Sequence, residues 1–111
     1  MLAPALAVPA FKHGQSKHLA AACAPAFLFN LLGWPAGVVP VPGRVRADEC
    51  VYTPGVGEGD DFAAAAAAAL DGAAGLPVAV QVAGPPYADE ATLGALAALE
   101  AALAAAPAGG A

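Results

Sequence analysis

Leu76-Pro77-Val78-Ala79-Val80-Gln81-Val82-Ala83 alternates with a period of two: Val78, Val80 and Val82 fall on one face, Ala79 and Gln81 on the other. Successive side chains of extended backbone point to opposite faces, so this stretch predicts a strand. Gly84, Pro85 and Pro86 close it with a turn. Downstream, the segment from Asp89 to Ala106 starts with acidic residues and carries Leu93, Leu96, Leu99 and Leu103 at spacings that gather on one side of a helix. Upstream, Asp60 and Asp61 precede Phe62 and an unbroken alanine run, Ala63 to Ala69, which predicts a second helix ended by Gly72.

Further toward the N-terminus, Ala36 to Val41 is a short β-branched run, and Pro40 inside it marks an edge strand or a strand about to end. Before it, Leu19 to Leu32 reads as a helix, with Pro25 in its first turn and Gly33 and Pro35 as a stop signal. It is apolar nearly all round, so burial on most faces is expected. Met1 to Ala10, with Pro4 and Pro9, reads as a strand end running into a loop, and Phe11 to Lys17 as a surface turn. Arg44 to Asp60, with Pro54, Gly55, Gly57 and Gly59, reads as a loop. Pro107 to Ala111 is expected to fray. The succession strand, helix, strand, loop, helix, strand, helix belongs to a mixed α/β layer architecture, a partial mixed sheet with flanking helices.

Composition narrows the function. The chain has 111 residues, enough for one domain or part of one. Hydrophobic residues make up 59%, much of that alanine, so the core is expected to be thin. Four basic side chains (Lys12, Lys17, Arg44 and Arg46) against nine acidic ones give a net charge of -5, which repels nucleic acid and leaves no polybasic membrane patch. The charge-free run from Leu19 to Gly43 is long enough to span a bilayer, but Pro25, Pro35, Pro40 and Pro42 remove donors that lipid cannot replace. MLAPALAVPA is apolar like a secretory signal but has no basic side chain ahead of it. Cys23 and Cys50 lie in no zinc or redox pattern and read as reduced, and no cofactor or metal is expected.

The chemistry-bearing side chains read mostly as surface and caps. His13 and His18 are five apart, a spacing that suits no helical metal pair. Ser16 has Lys12, Lys17 and His18 near it in sequence but no glycine elbow or oxyanion donor pattern. Asp60 and Asp61 at a helix start read as capping residues rather than an acid and base pair. Gly55-Val56-Gly57-Glu58-Gly59 lacks the preceding strand and third spaced glycine of a nucleotide loop. Trp34, Phe27 and Phe29 read as core.

Two blocks together carry a family resemblance. Asn30-Leu31-Leu32-Gly33-Trp34-Pro35-Ala36-Gly37-Val38-Val39-Pro40-Val41, followed by Gly75-Leu76-Pro77-Val78-Ala79-Val80-Gln81-Val82, resembles the closing portion of the amidase-signature fold. The wording PAGVVPV with GLPVAVQ is similar to the fatty acid amide hydrolase branch. The resemblance implies that the blocks form neighbouring strands and that Ala88-Asp89-Glu90 begins a terminal helix. It also implies amide hydrolysis by a Ser-Ser-Lys triad with an oxyanion loop rich in glycine and serine. This chain contains one serine, Ser16, so a mechanism needing two fails by counting, and the expectation is a fragment whose catalytic portion lies upstream, with Met1 a truncation point or internal start. By the same resemblance, Tyr87 takes the position of an aromatic beside the acyl channel and is the one expected substrate-binding residue.

The resulting expectation is a fragment of a serine amide hydrolase, inactive alone, whose partner in the full-length enzyme is a small-molecule amide, with cytoplasmic or peripheral membrane placement. The alternatives are a non-catalytic remnant, a small-molecule binding module, or a piece of a general amidase or amidotransferase A subunit.

Overall fold

The computed structural model describes residues 1–53 and 59–106; the glycine-rich stretch 54–58 and the alanine-rich tail 107–111, read above as loop and frayed end, lie outside the described residues. Three strands and three α-helices alternate: β1 (Leu2–Pro4), α1 (Ala24–Leu32), β2 (Ala36–Arg44), α2 (Asp61–Leu70), β3 (Pro77–Ala83) and α3 (Asp89–Ala105). The succession matches the order read from the sequence.

β3 is the central strand, flanked by β1 and β2 in the order β1-β3-β2. The two blocks PAGVVPV and GLPVAVQ are thus hydrogen-bonded neighbours, with Gly37 opposite Val82 and Val39 opposite Val80. Both pairings are antiparallel, which corrects the expectation of a mixed sheet. β1 and β2 do run in the same direction, as strands joined through a helix do, but β3 is inserted between them, so no parallel ladder forms among the described residues. β2 is an edge strand, and Pro40 inside it therefore costs no ladder bond on an inner strand.

The helix ends follow local chemistry. Pro25 stands in the first turn of α1, and its ring clashes with a carbonyl four residues earlier. The predicted helix from Leu19 therefore breaks into a 3-10 turn, Ala20–Cys23, and α1 proper. At the other end Gly33 adopts a left-handed φ of 64°. Trp34 N–H donates to the Phe29 carbonyl at 3.0 Å and Gly33 N–H to that of Asn30 at 3.2 Å, the paired bonds of a Schellman stop. The Phe29 and Trp34 rings stack across it with centroids 6.2 Å apart. In α2, the Asp60 carboxylate accepts from Ala63 N–H at 2.5 Å, so Asp60 is an N-cap, as read.

α3 covers the valine face of the sheet. Gly37 shares that face with its partner Val82, and a Cβ on Gly37 would collide with the Leu96 side chain. Leu96, Leu99 and Leu103 are half-buried along the contact, each worth about 1 kcal/mol of transfer free energy, and Thr92 is fully buried at its head. Leu93, read as part of this stripe, instead stays 65% exposed, because Thr92 takes the inward position of that turn.

A second cluster joins Leu19 and Ala22 to Ala66 and Ala69 of α2, with Leu6, Val8, Phe11 and Phe62 packed around them. Six of the ten buried apolar residues among those described are alanines, so the core is thin, as the composition implied. One expectation fails: α1 buries only Phe29 fully, while Phe27, Leu28, Leu31 and Leu32 are exposed. The charge-free sequence of α1 signals apolar surroundings, and these described residues supply them on one side only.

Candidate functional site

The exit of β3 holds the most unusual backbone in the described chain. Gly84 N–H donates to the Pro35 carbonyl at 2.9 Å, tying the end of β3 to the start of β2. Its missing side chain matters, because a Cβ there would overlap the Thr92 hydroxyl. Thr92 in turn returns its hydroxyl to the Ala88 carbonyl at 2.8 Å, locking the first turn of α3.

Between these fixed points, Ala88 N–H donates to the Pro85 carbonyl at 3.2 Å and closes a four-residue turn. Proline fixes φ near −65° at the second position, and the third, Tyr87, has φ of 64°. This is a type II turn, whose third position ordinarily takes glycine or asparagine because a Cβ is strained there. Tyr87 is the one non-glycine residue with positive φ among those described, and it is 98% exposed. The turn thus holds a large aromatic ring away from the body of the chain.

Beside this turn a shallow cleft of about 250 Å³ lies between β2 and α3, lined by Pro35, Ala36, Gly37, Asp89, Thr92, Leu93 and Leu96. A larger groove of about 350 Å³ runs between Ala5–Ala10 and Pro77–Ala79 and is lined by apolar residues. Neither includes Tyr87.

The other residues singled out by the sequence do not converge. Ser16 is exposed in the 3-10 turn Gln15–Lys17. Lys12 nearby points its ammonium at Asp71, 3.9 Å away, on an exposed surface. His13 and His18 are both exposed, and the described residues contain no metal-ligating cluster. Asp61 follows the Asp60 cap as the first residue of α2. Cys23 and Cys50 are free thiols. Phe27, expected in the core, is 55% exposed, whereas Phe29 and Trp34 pack together.

Two polar positions emerge that the sequence did not single out for function. Gln81 is buried, and its Nε2 donates to the Pro4 carbonyl at 2.7 Å, bridging β3 to the end of β1. On the exposed 3-10 turn Ala47–Glu49, the Arg46 guanidinium donates twice to Asp48, at 3.0 and 2.6 Å, and Glu49 accepts from Arg46 N–H at 2.9 Å. The Arg46 hydrogen bond holds the Asp48 carboxyl below its ordinary range.

Chemically, the described residues offer apolar walls, one presented aromatic and a rigid strand-to-helix corner, with no nucleophile and base in contact. Among them no helix is long and apolar enough to cross a membrane. Comparison with known proteins places this arrangement. The chain is 38% identical over 93 residues to fatty acid amide hydrolase 1 of Caenorhabditis elegans, an alignment covering 84% of this chain and 16% of that protein. The chain therefore spans about one sixth of the length of this relative. No solved structure matches. The family model described as Amidase matches residues 1–93, which takes in the β2 and β3 blocks and the corner at Tyr87, and the chain belongs to the amidase family.

Proposed function

We propose that this chain is the closing segment of a serine amide hydrolase acting on fatty acid amides, that it builds sheet and substrate wall, and that it does not hydrolyse amides alone. The observation that carries the reading is the 38% identity to a fatty acid amide hydrolase in a chain whose whole sequence holds one serine. A triad of two serines and a lysine, as the family resemblance implies, needs a second serine from elsewhere. Ser16, exposed on its 3-10 turn, has no built surroundings that would replace one.

Tyr87 is the substrate-contacting residue in this reading. An exposed aromatic held by a proline-set turn offers a flat apolar surface and a hydroxyl at little further entropic cost, which suits one wall of a passage for an acyl chain. The strain at its φ supports the reading, because strained conformations gather where function holds them.

Hydrolysis assays test this directly. The isolated chain releases no ammonia or amine from a long-chain fatty acid amide. A chimera of the C. elegans enzyme carrying the whole chain in place of its matched segment hydrolyses that amide, and Tyr87→Ala in the chimera raises KM for it more than for a two-carbon amide. Turnover by the isolated chain sinks the claim of dependence. An active chimera that prefers the two-carbon amide reassigns the segment to a general amidase.

A further inference from the structure

We infer that the outer face of α1 is a docking surface for the rest of a full-length amidase polypeptide, an inference that rests on the function proposed above. Phe27, Leu28, Leu31 and Leu32 are 55%, 48%, 85% and 46% exposed, and they sit on adjacent turns of a nine-residue helix. Val38, 59% exposed on the strand that follows, adds to the uncovered apolar surface. Water-facing helices normally carry charge on the outer side, yet no charged residue occurs between Leu19 and Gly43. Contiguous exposed apolar surface of this kind marks an interaction site.

The length of the relative and the charge of the chain identify the occupant. The family relative is about six times as long as the part matched here, so most of that relative's length has no counterpart in this chain's fold. A membrane is a poorer fit, because this face offers no lysine or arginine to an anionic lipid surface. A second copy is a poorer fit as well, since two chains of net charge -5 repel each other. A closed, apolar contact with a larger polypeptide satisfies both the lack of charge and the uncovered area.

Substituting Leu31 tests the assignment, because its side chain is exposed and Leu31→Glu leaves the isolated chain's Tm unchanged. In the chimera described above the same substitution lowers Tm by several degrees, since a carboxylate is then forced into an apolar contact. In a second format, the C. elegans enzyme lacking its matched segment is co-expressed with the whole chain. The wild-type chain co-purifies with it, Leu31→Glu does not, and Leu93→Glu, at an exposed position of α3, does.

The inference is overturned if Leu31→Glu leaves the chimera's Tm and co-purification intact, or if neither format yields a folded assembly. It is also overturned if the isolated chain forms a dimer that Leu31→Glu abolishes, or floats with phosphatidylcholine vesicles through the same residue. The two readings fail separately. A chimera destabilised by Leu31→Glu but inactive keeps the docking face and rejects the hydrolase, and an active one indifferent to Leu31→Glu does the reverse.

Discussion

Tyr87 occupies a backbone conformation that costs an L-residue with a Cβ roughly 1–2 kcal/mol, and its exposed ring recovers none of this through packing. Tyr87→Gly is therefore expected to stabilise the isolated chain by about 0.5–1 kcal/mol after the entropy that glycine adds to the unfolded state. Thermal melts check this: Tm rises for glycine and stays put for Tyr87→Phe, and an unchanged Tm for glycine means the turn stores no strain. Pro85 and Pro86 announce a turn in the sequence, but its type does not follow from them, because the sign of φ at Tyr87 depends on how Ala88 meets α3. Gln81 was placed on the correct strand face for the same local reason that Val80 was. That its face is a closed one depends on β1, whose Pro4 carbonyl lies 77 residues away in sequence.

The 3-10 turn at Ala47–Glu49 gives the residue scale its pH dependence. Asp48 has a folded-state pKa below its unfolded value because Arg46 hydrogen-bonds the charged form. Its small contribution to stability is present above the unfolded pKa and is lost as pH falls through the folded one. NMR titration is expected to find the Asp48 carboxyl titrating below the ordinary aspartate range, and Arg46→Ala to raise it into that range. A carboxyl unmoved by Arg46→Ala would show that the pair does not persist in solution.

At the scale of elements, each helix was legible where its cap is chemical and illegible where its surroundings decide. Asp60 as the cap of α2 and Gly33 as the stop of α1 follow from local hydrogen bonding and were read directly. Asp60→Ala removes the acceptor for Ala63 N–H and is expected to cost about 1 kcal/mol, seen as a lower urea midpoint with an unchanged m-value. The choice of Thr92 over Leu93 for the sheet side of α3 was not readable, since both fit a helical period with Leu96 and only the close approach at Gly84 selects the smaller one. The same closeness makes Gly84→Val severe: its side chain meets the Thr92 hydroxyl, and the expected result is loss of soluble protein, against little change for Gly94→Val's milder neighbour Gly94→Ala, where the space is open.

The whole molecule shows what an alanine-rich composition can and cannot close. Small side chains let α2 lie against Leu19 and Ala22, but each buried methyl contributes only about 0.8 kcal/mol, so this cluster is held by little free energy. Nine acidic side chains against four basic ones supply the repulsion that opposes association of the exposed α1 face. Acidification removes that repulsion as the carboxylates gain protons. Turbidity of the isolated chain at low salt is expected to rise as pH falls toward the carboxylate range, and Leu31→Glu to delay the rise; turbidity that is flat with pH would mean that charge does not keep the chain dispersed. The overall α/β succession was visible from one chain because it resides in period and order, and the pairing of the two sequence blocks, borne out here, was implied by the family resemblance they carry. The antiparallel sense was not, because it depends on β3 entering between β1 and β2.

That insertion has a consequence for how the chain comes off the ribosome. Leu2 to Pro4 are made well before their partner strand, Pro77 to Ala83, so at roughly 5–20 residues per second β1 waits about 4–16 s for the other half of its ladder. During that interval Leu2 to Pro4 have no sheet to join, and the nascent chain presents the kind of apolar segment that chaperones bind.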